Sequence, residues 1–242
     1  MISEMLEKAG ALITRFPVIE IQAVLNDTKL NRLFERVNQF QYLIFVSRNA
    51  VTVTHDNYLD DFTKLEDSSV IAIGQSTASA LQQNGLDQVI TADAGTDSEA
   101  LLALPELAAA SISEKNVLLV RGVGGRELLP DTLTERGADV TIAEVYMRNK
   151  PQYDTNEIIR LWQHTFPDAI IVTSNEAIEN LLSLTPEARR EDLLNTRLVV
   201  MSERNAVFAR ELGFHSPIYV SDEMNDTGLY NVTMELLETV YT

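Results

Sequence analysis

Short apolar runs of four to eight residues alternate along the chain with longer stretches in which apolar positions recur every three or four residues. The short runs predict strands at 11–21 (ALITRFPVIEI), 42–46, 70–73, 88–91, 117–120, 139–146, 169–173, 197–201 and 217–220. The longer periodic stretches predict helices at 76–84, 97–110, 126–136, 175–184, 203–212 and 226–240. Strands that alternate with helices build parallel sheets covered on both faces, so the fold class is α/β.

The pattern repeats itself. LIFVSRNAV (43–51) aligns with AIIVTSNEAI (169–178), which sets Ser47 against Ser174 at an offset of 127. VIAIGQSTASALQQNG (70–85) aligns with LVVMSERNAVFARELG (198–213), and Gly85 falls against Gly213 at an offset of 128. The acidic turn from Asp93 to Ser98 answers Asp222 to Thr227 at 129, and Gly137 answers Gly10 at 127. Four blocks at nearly one spacing read as a duplication, hence two similar domains. In this register residues 1–9 match the helix after the loop that follows 117–120. The first copy is then expected to lack its opening strand.

Composition narrows the chemistry. The chain has no cysteine, so thiolate and disulfide chemistry is excluded and a reducing compartment fits. His55, His164 and His215 lie far apart without helical spacing, which gives no metal motif. A net charge of −17 argues against a nucleic-acid partner, which needs a basic surface. A small anion is still compatible, because local amides and arginines outweigh distant surface charge. No run of about 18 apolar residues spans a membrane. The start, MISEMLEKAGA, has no basic region ahead of an apolar core, and a cytoplasmic location is expected.

Two strand-to-helix turns hold candidate chemistry. VIAIGQSTA empties an apolar strand into Gly74, Ser76 and Thr77, where the hydroxyls either cap the helix or meet an anion beside free N–H groups. VLLVRGVGGRELL places Arg121, Gly122, Gly124, Gly125 and Arg126 after a strand. Such a loop lets amides and guanidinium groups approach an anion; its other reading is a tight turn with solvated arginines. It has neither the Lys-Ser/Thr of a phosphate loop nor the G-x-G-x-x-G order of a dinucleotide fold.

The succession F-P-V-I-E-I (16–21), L-I-F-V-S-x-x-A-V (43–51), A-I-G-x-x-T-A (72–78), G-x-x-x-R-E-L-L-P-x-x-L-x-x-x-G-A (122–138), V-Y (145–146) and a second S-x-x-A-I (174–178) resembles uroporphyrinogen-III synthase. The resemblance implies two α/β domains, 1–21 plus 151–242 and 23–144, joined by linker strands at 16–22 and 145–150, with the active site in the cleft. It also implies the dehydrating cyclisation of hydroxymethylbilane to uroporphyrinogen III with inversion of the last pyrrole ring, without a cofactor. Tyr146 matches the family tyrosine near the leaving hydroxyl; its alternative role is an aromatic plug in the linker. Ser47 and Thr77 match positions that contact substrate carboxylates, with Ser76 their neighbour. Arg126 matches a basic residue after the glycine loop, and Thr173 and Ser174 fit the equivalent turn of the other domain. Where many members have Gly-x-Thr-Thr, this chain has Ser202-Glu203-Arg204-Asn205, of which Asn205 keeps a capping and donating group. For the hydroxyls, helix capping stands beside ligand contact. The expected partner is the bilane alone, for a monomer or for chains associated through an exposed sheet edge. The rival reading is a non-catalytic two-domain binder of a small polyanion, which has no use for a proton donor at Tyr146.

Overall fold

The computed structural model describes residues 2–65, 67–92, 95, 97–154, 157–158, 160–161 and 167–240. His164 and part of the acidic turn (Asp93, Ala94 and Thr96) lie outside the described residues. The chain divides into two compact units, one formed by residues 1–20 with 150–242 and the other by 21–149.

In order, the strands are β1 (Glu20–Ala23), β2 (Tyr42–Phe45), β3 (Ser69–Ala72), β4 (Ile90–Thr91), β5 (Asn116–Gly122), β6 (Asp139–Asn149), β7 (Ala169–Val172), β8 (Arg197–Val200) and β9 (Ile218–Val220). The labelled helices are α1 (Ile2–Lys8), α2 (Thr28–Phe34), α3 (Arg48–Asn57), α4 (Gln75–Gln83), α5 (Ser98–Leu102), α6 (Ala109–Ile112), α7 (Leu128–Glu135), α8 (Asn175–Leu184), α9 (Arg190–Leu194), α10 (Glu203–Glu211) and α11 (Asp226–Val240).

The 21–149 unit holds a sheet in the order β1-β6-β5-β2-β3-β4, in which β6, β5, β2, β3 and β4 run parallel. Its central strands carry apolar side chains to both faces: Leu43 and Phe45 into one core, Ile44 and Leu119 into the other. That is the pattern of a parallel sheet covered by helices. The other unit holds the parallel sheet β7-β8-β9, again with a core on each side, around Leu198 and Val200 and around Val199.

The two units use the same local devices at matched positions. Ser47 caps α3 by accepting the Ala50 N–H at 3.0 Å, and Ser174 caps α8 by accepting the Ala177 N–H at 3.1 Å. Gly85 and Gly213 end α4 and α10 at φ of 98° and 97°. Gly10 and Gly137 do the same after α1 and α7 at 94° and 90°. In all four, the residue after the glycine donates to the carbonyl five residues back (Leu86 to Leu81, Phe214 to Ala209, Ala11 to Leu6, Ala138 to Leu133). Only glycine takes this left-handed position without strain, so the glycines end these helices for one physical reason.

Two expectations are corrected. The strand expected at 11–21 forms only from Glu20, because among the described residues 11–19 have no strand to pair with. Its repeat mate β6 lies against β5, whereas β7 has a sheet neighbour on one side only among the described residues. The helix expected over 97–110 breaks into α5, a short turn and α6, since Pro105 holds Leu104 extended (ψ 137°).

Candidate active site

In the 21–149 unit, five chain segments meet near the carboxyl ends of β2 and β5. Beyond β2 the backbone of Ser47 is extended (φ −167°, ψ 155°), and its Oγ serves α3 as a cap. The same Oγ lies 3.0 Å from Oη of Tyr146. Tyr146 comes from β6, whose pairing with β5 shifts register: Arg121 faces Glu144, and Gly122 faces Tyr146. Val145 is the extra residue of this bulge, and bulges aim side chains at particular points. Tyr146 is turned so that its ring covers Gly122. A Cβ on Gly122 would lie 2.7 Å from the ring Cζ, so glycine is required by contact.

The loop after β5 folds around Arg121. This guanidinium is buried, and it donates to Glu144 Oε1 (3.1 and 3.3 Å), to Glu127 Oε1 (2.8 Å) and to the Arg126 carbonyl (3.1 Å). Glu144 Oε1 also accepts the Gly124 N–H at 3.2 Å, and Val123 N–H donates to the Tyr146 carbonyl at 2.8 Å. A side chain on Gly125 would strike Arg121 Cδ at 2.9 Å. Arg121 is therefore the peg of the loop. The expectation that its guanidinium reaches an anion is corrected, because carboxylates of the same chain already occupy it.

These residues border a cavity of ≈ 210 Å³. Ser47, Tyr146, Ser98, Arg126 and Arg148 bring hydroxyls and guanidinium groups to it, while Ile73 and Leu129 form apolar wall. Exposed Arg126 remains on the surface of the loop whose carbonyl Arg121 holds. The set suits an apolar ring bearing carboxylates: flat surface for the ring, charge-assisted donors for the acids. Among the described residues no three His, Cys, Asp or Glu gather as a metal site would require.

The structure thus brings together Ser47, Arg126 and Tyr146. Ser76 and Thr77 stand in the first turn of α4, Ser76 exposed and Thr77 buried, and neither borders the cavity. Neither caps the helix: Gly74 is the cap and no side chain assists it. In the other unit Thr173 is exposed and Ser174 caps α8. Asn205 is buried, accepts from Ser202 Oγ at 2.9 Å and donates Nδ2 to Asn175 Oδ1 at 2.7 Å, which ties the α10 turn to the α8 turn. Glu203, in the same turn, pairs with Arg210 at 3.1 Å.

Sequence reasoning missed Ser98, Glu144 and Arg148, and it named Gly122 only as a loop glycine and not as the surface against which the Tyr146 ring packs. Arg148 had a signal: two residues beyond Tyr146 on one strand, it shares the tyrosine's face. Glu144, two residues before the tyrosine, had the same signal, but its pairing with Arg121 comes from the local register of β5 and β6.

The family model described as uroporphyrinogen-III synthase HemD matches residues 1–231. The chain belongs to the uroporphyrinogen-III synthase family. It is 36% identical over 228 residues to the uroporphyrinogen-III synthase of Escherichia coli K12, covering 93% of this chain and 91% of that protein. To the Salmonella typhimurium LT2 protein of the same name it is 38% identical over 227 residues, with coverage of 93% and 91%. Among solved structures, uroporphyrinogen-III synthetase from Helicobacter pylori 26695 matches with a TM-score of 0.63 at 18% identity, over 94% of this chain and 96% of that one. A mutant uroporphyrinogen III synthase from Thermus thermophilus matches at 0.56 and 20% identity, over 98% and 94%. These structures share the two-domain α/β fold. Family membership makes the chain an enzyme of tetrapyrrole biosynthesis and does not favour the non-catalytic binder. No described helix is long and apolar enough to cross a membrane.

Proposed function

We propose that this chain closes hydroxymethylbilane to uroporphyrinogen III, with loss of water and inversion of the last ring. The observation that carries the reading is the phenol of Tyr146, aimed by a bulge into a cavity that Arg126 and Arg148 also line. The substrate is an acidic, flexible chain of pyrroles, and its own nitrogen lone pairs drive out the terminal hydroxyl. The enzyme must hold the chain ends, exclude water and help the hydroxide depart. Tyr146 is assigned as the catalytic donor to that oxygen.

Arg126 is assigned to substrate binding in the same cavity, which Ser47 borders beside the phenol, and Ser76, Thr77, Thr173 and Ser174 to carboxylates at the other strand-end turns. Asn205 has a second amide hydrogen left for a ligand after serving Asn175. The chemistry invokes no cofactor. We assign the reaction to the cytoplasm and to a single chain, in keeping with a cysteine-free acidic protein.

The test is an isomer-resolved assay with the purified full chain and freshly made hydroxymethylbilane, which closes to the type I product unaided. The expected result is the type III product, with turnover in Tyr146→Phe down by about 10²-fold at unchanged fold. Type I product alone would overturn the reading.

A further inference from the structure

Ser47 is a strand-end hydroxyl whose Oγ has two protein partners, the Ala50 N–H at 3.0 Å and Tyr146 Oη at 3.0 Å. Among the described residues its repeat mate Ser174 makes only the first kind of bond, accepting the Ala177 N–H at 3.1 Å. The cap is thus the inherited part of the arrangement, and the bond to tyrosine is what the 21–149 unit adds. Resting on the function proposed above, we infer that Ser47 is the positioning residue of Tyr146 and acts on the reaction through that phenol.

The proposed chemistry selects one orientation of this pair, in which Ser47 donates, and the proton count allows it. A serine hydroxyl has one hydrogen and two lone pairs. The Ala50 N–H takes one lone pair, so the Ser47 hydrogen is free to point at Tyr146 Oη. The phenolic hydrogen is then released from Ser47 and points into the cavity. When the C–O bond of the substrate breaks, its electron pair stays on the departing oxygen, which takes the Tyr146 proton and leaves as water. The phenolate left behind is held by the Ser47 hydrogen. It is reprotonated when the closing ring loses its α-hydrogen, so protons balance over the turnover. The ring itself has no freedom to find another partner, because Gly122 backs it in contact and its backbone carbonyl holds the Val123 N–H.

Purified full-length variants decide the matter by steady-state kinetics with hydroxymethylbilane. Ser47→Ala is expected to lower kcat by about tenfold or more, as loss of a bond to a charged group implies, with KM changed less than about twofold. Ser47→Thr should restore most of kcat. Should the alanine variant fold poorly for want of its cap, Ser47→Gly replaces it, since glycine caps nearly as well and still removes the hydroxyl. In a Tyr146→Phe background, removing the Ser47 hydroxyl should change kcat by less than about twofold, because the two groups act as one. Wild-type kcat in Ser47→Gly would overturn the inference. So would a raised KM in both backgrounds, which would make Ser47 a direct carboxylate ligand. Unchanged kcat in Tyr146→Phe alone would instead sink the role of the tyrosine.

Discussion

The two arginines of the glycine loop look alike in sequence and are opposites in the structure. Arg121 is buried with two carboxylates and a carbonyl on its guanidinium, whereas Arg126 is exposed at the cavity. Arg121→Ala strips Glu144 of its counter-charge and the loop of its peg. A stability loss of about 3 kcal/mol is expected by denaturant melting, near the lower end for a broken buried pair because Glu127 is largely solvated. Arg126→Ala should leave the melting temperature within about a degree yet weaken product binding in calorimetry. Equal stability losses would mean the loop is not built on Arg121. Gly122 gives a sharper test: Gly122→Ala forces a methyl group to 2.7 Å from the Tyr146 ring. Overpacking of this kind typically costs about 1–3 kcal/mol, and displacement of the phenol should lower kcat at least tenfold. A variant with normal kcat would show that the ring has room to shift. The hydroxyls and Arg126 were legible because their residue types announce their chemistry. The role of Gly122 against the tyrosine ring and that of Glu144 were not, because only the register shift between β5 and β6 gives them these neighbours.

At the level of elements, the sequence pattern located strands well wherever a partner strand exists and failed where none does. Residues 11–19 have strand composition but lie without a ladder. Side chains hold them instead: Tyr153 donates to the Pro17 carbonyl at 2.5 Å and packs its ring against Phe16, tilted by 33° with centroids 5.0 Å apart, and Asn180 donates to the Val18 carbonyl at 2.9 Å. Burial, with Glu157 and Glu20 nearby, raises the Tyr153 pKa above 10.0. The folded protein thus holds this proton more tightly than the unfolded chain. The linked stability is full below about pH 10, declines as pH rises from there, and is gone once pH exceeds the raised folded value. Tyr153→Phe should shrink the alkaline slope in a pH series of melts and leave the share of Tyr58, whose pKa burial and Asp27 also raise; an unchanged slope would assign it wholly elsewhere. Helix α3 was missed because Val51, Thr52, Val53 and Thr54 favour strands by themselves, although its repeat mate α8 was read correctly. The open flank of β7 has its own consequence. Its amides at 170–172 are expected to exchange faster than those at 43–45 in β2, which has a strand on either side. Matching rates in the two strands would mean that β7 is covered in solution.

For the molecule as a whole, charge sets the kinetics of encounter. A net charge of −17 repels a polycarboxylate at a distance, while Arg126 and Arg148 attract it only at the cavity. The range of repulsion shrinks from about 30 Å at 0.01 M salt to about 8 Å at 0.15 M. Stopped-flow association of the tetrapyrrole product should therefore speed up as salt is added over that range, the reverse of a steered anion receptor. Slowing over the same range would locate a large basic field that the net charge conceals. The interrupted path of the backbone bears on synthesis too. Residues 21–149 are contiguous and can fold as soon as they leave the ribosome, but residues 1–20 belong with a segment that begins only at Lys150. Translation proceeds at about 5–20 residues per second, so the roughly 130 residues between Glu20 and Lys150 keep α1 waiting about 6–26 s before the first of its partners is made. During that interval the nascent N-terminus, with its apolar Leu6 and Leu12, is the stretch most open to a chaperone or a protease.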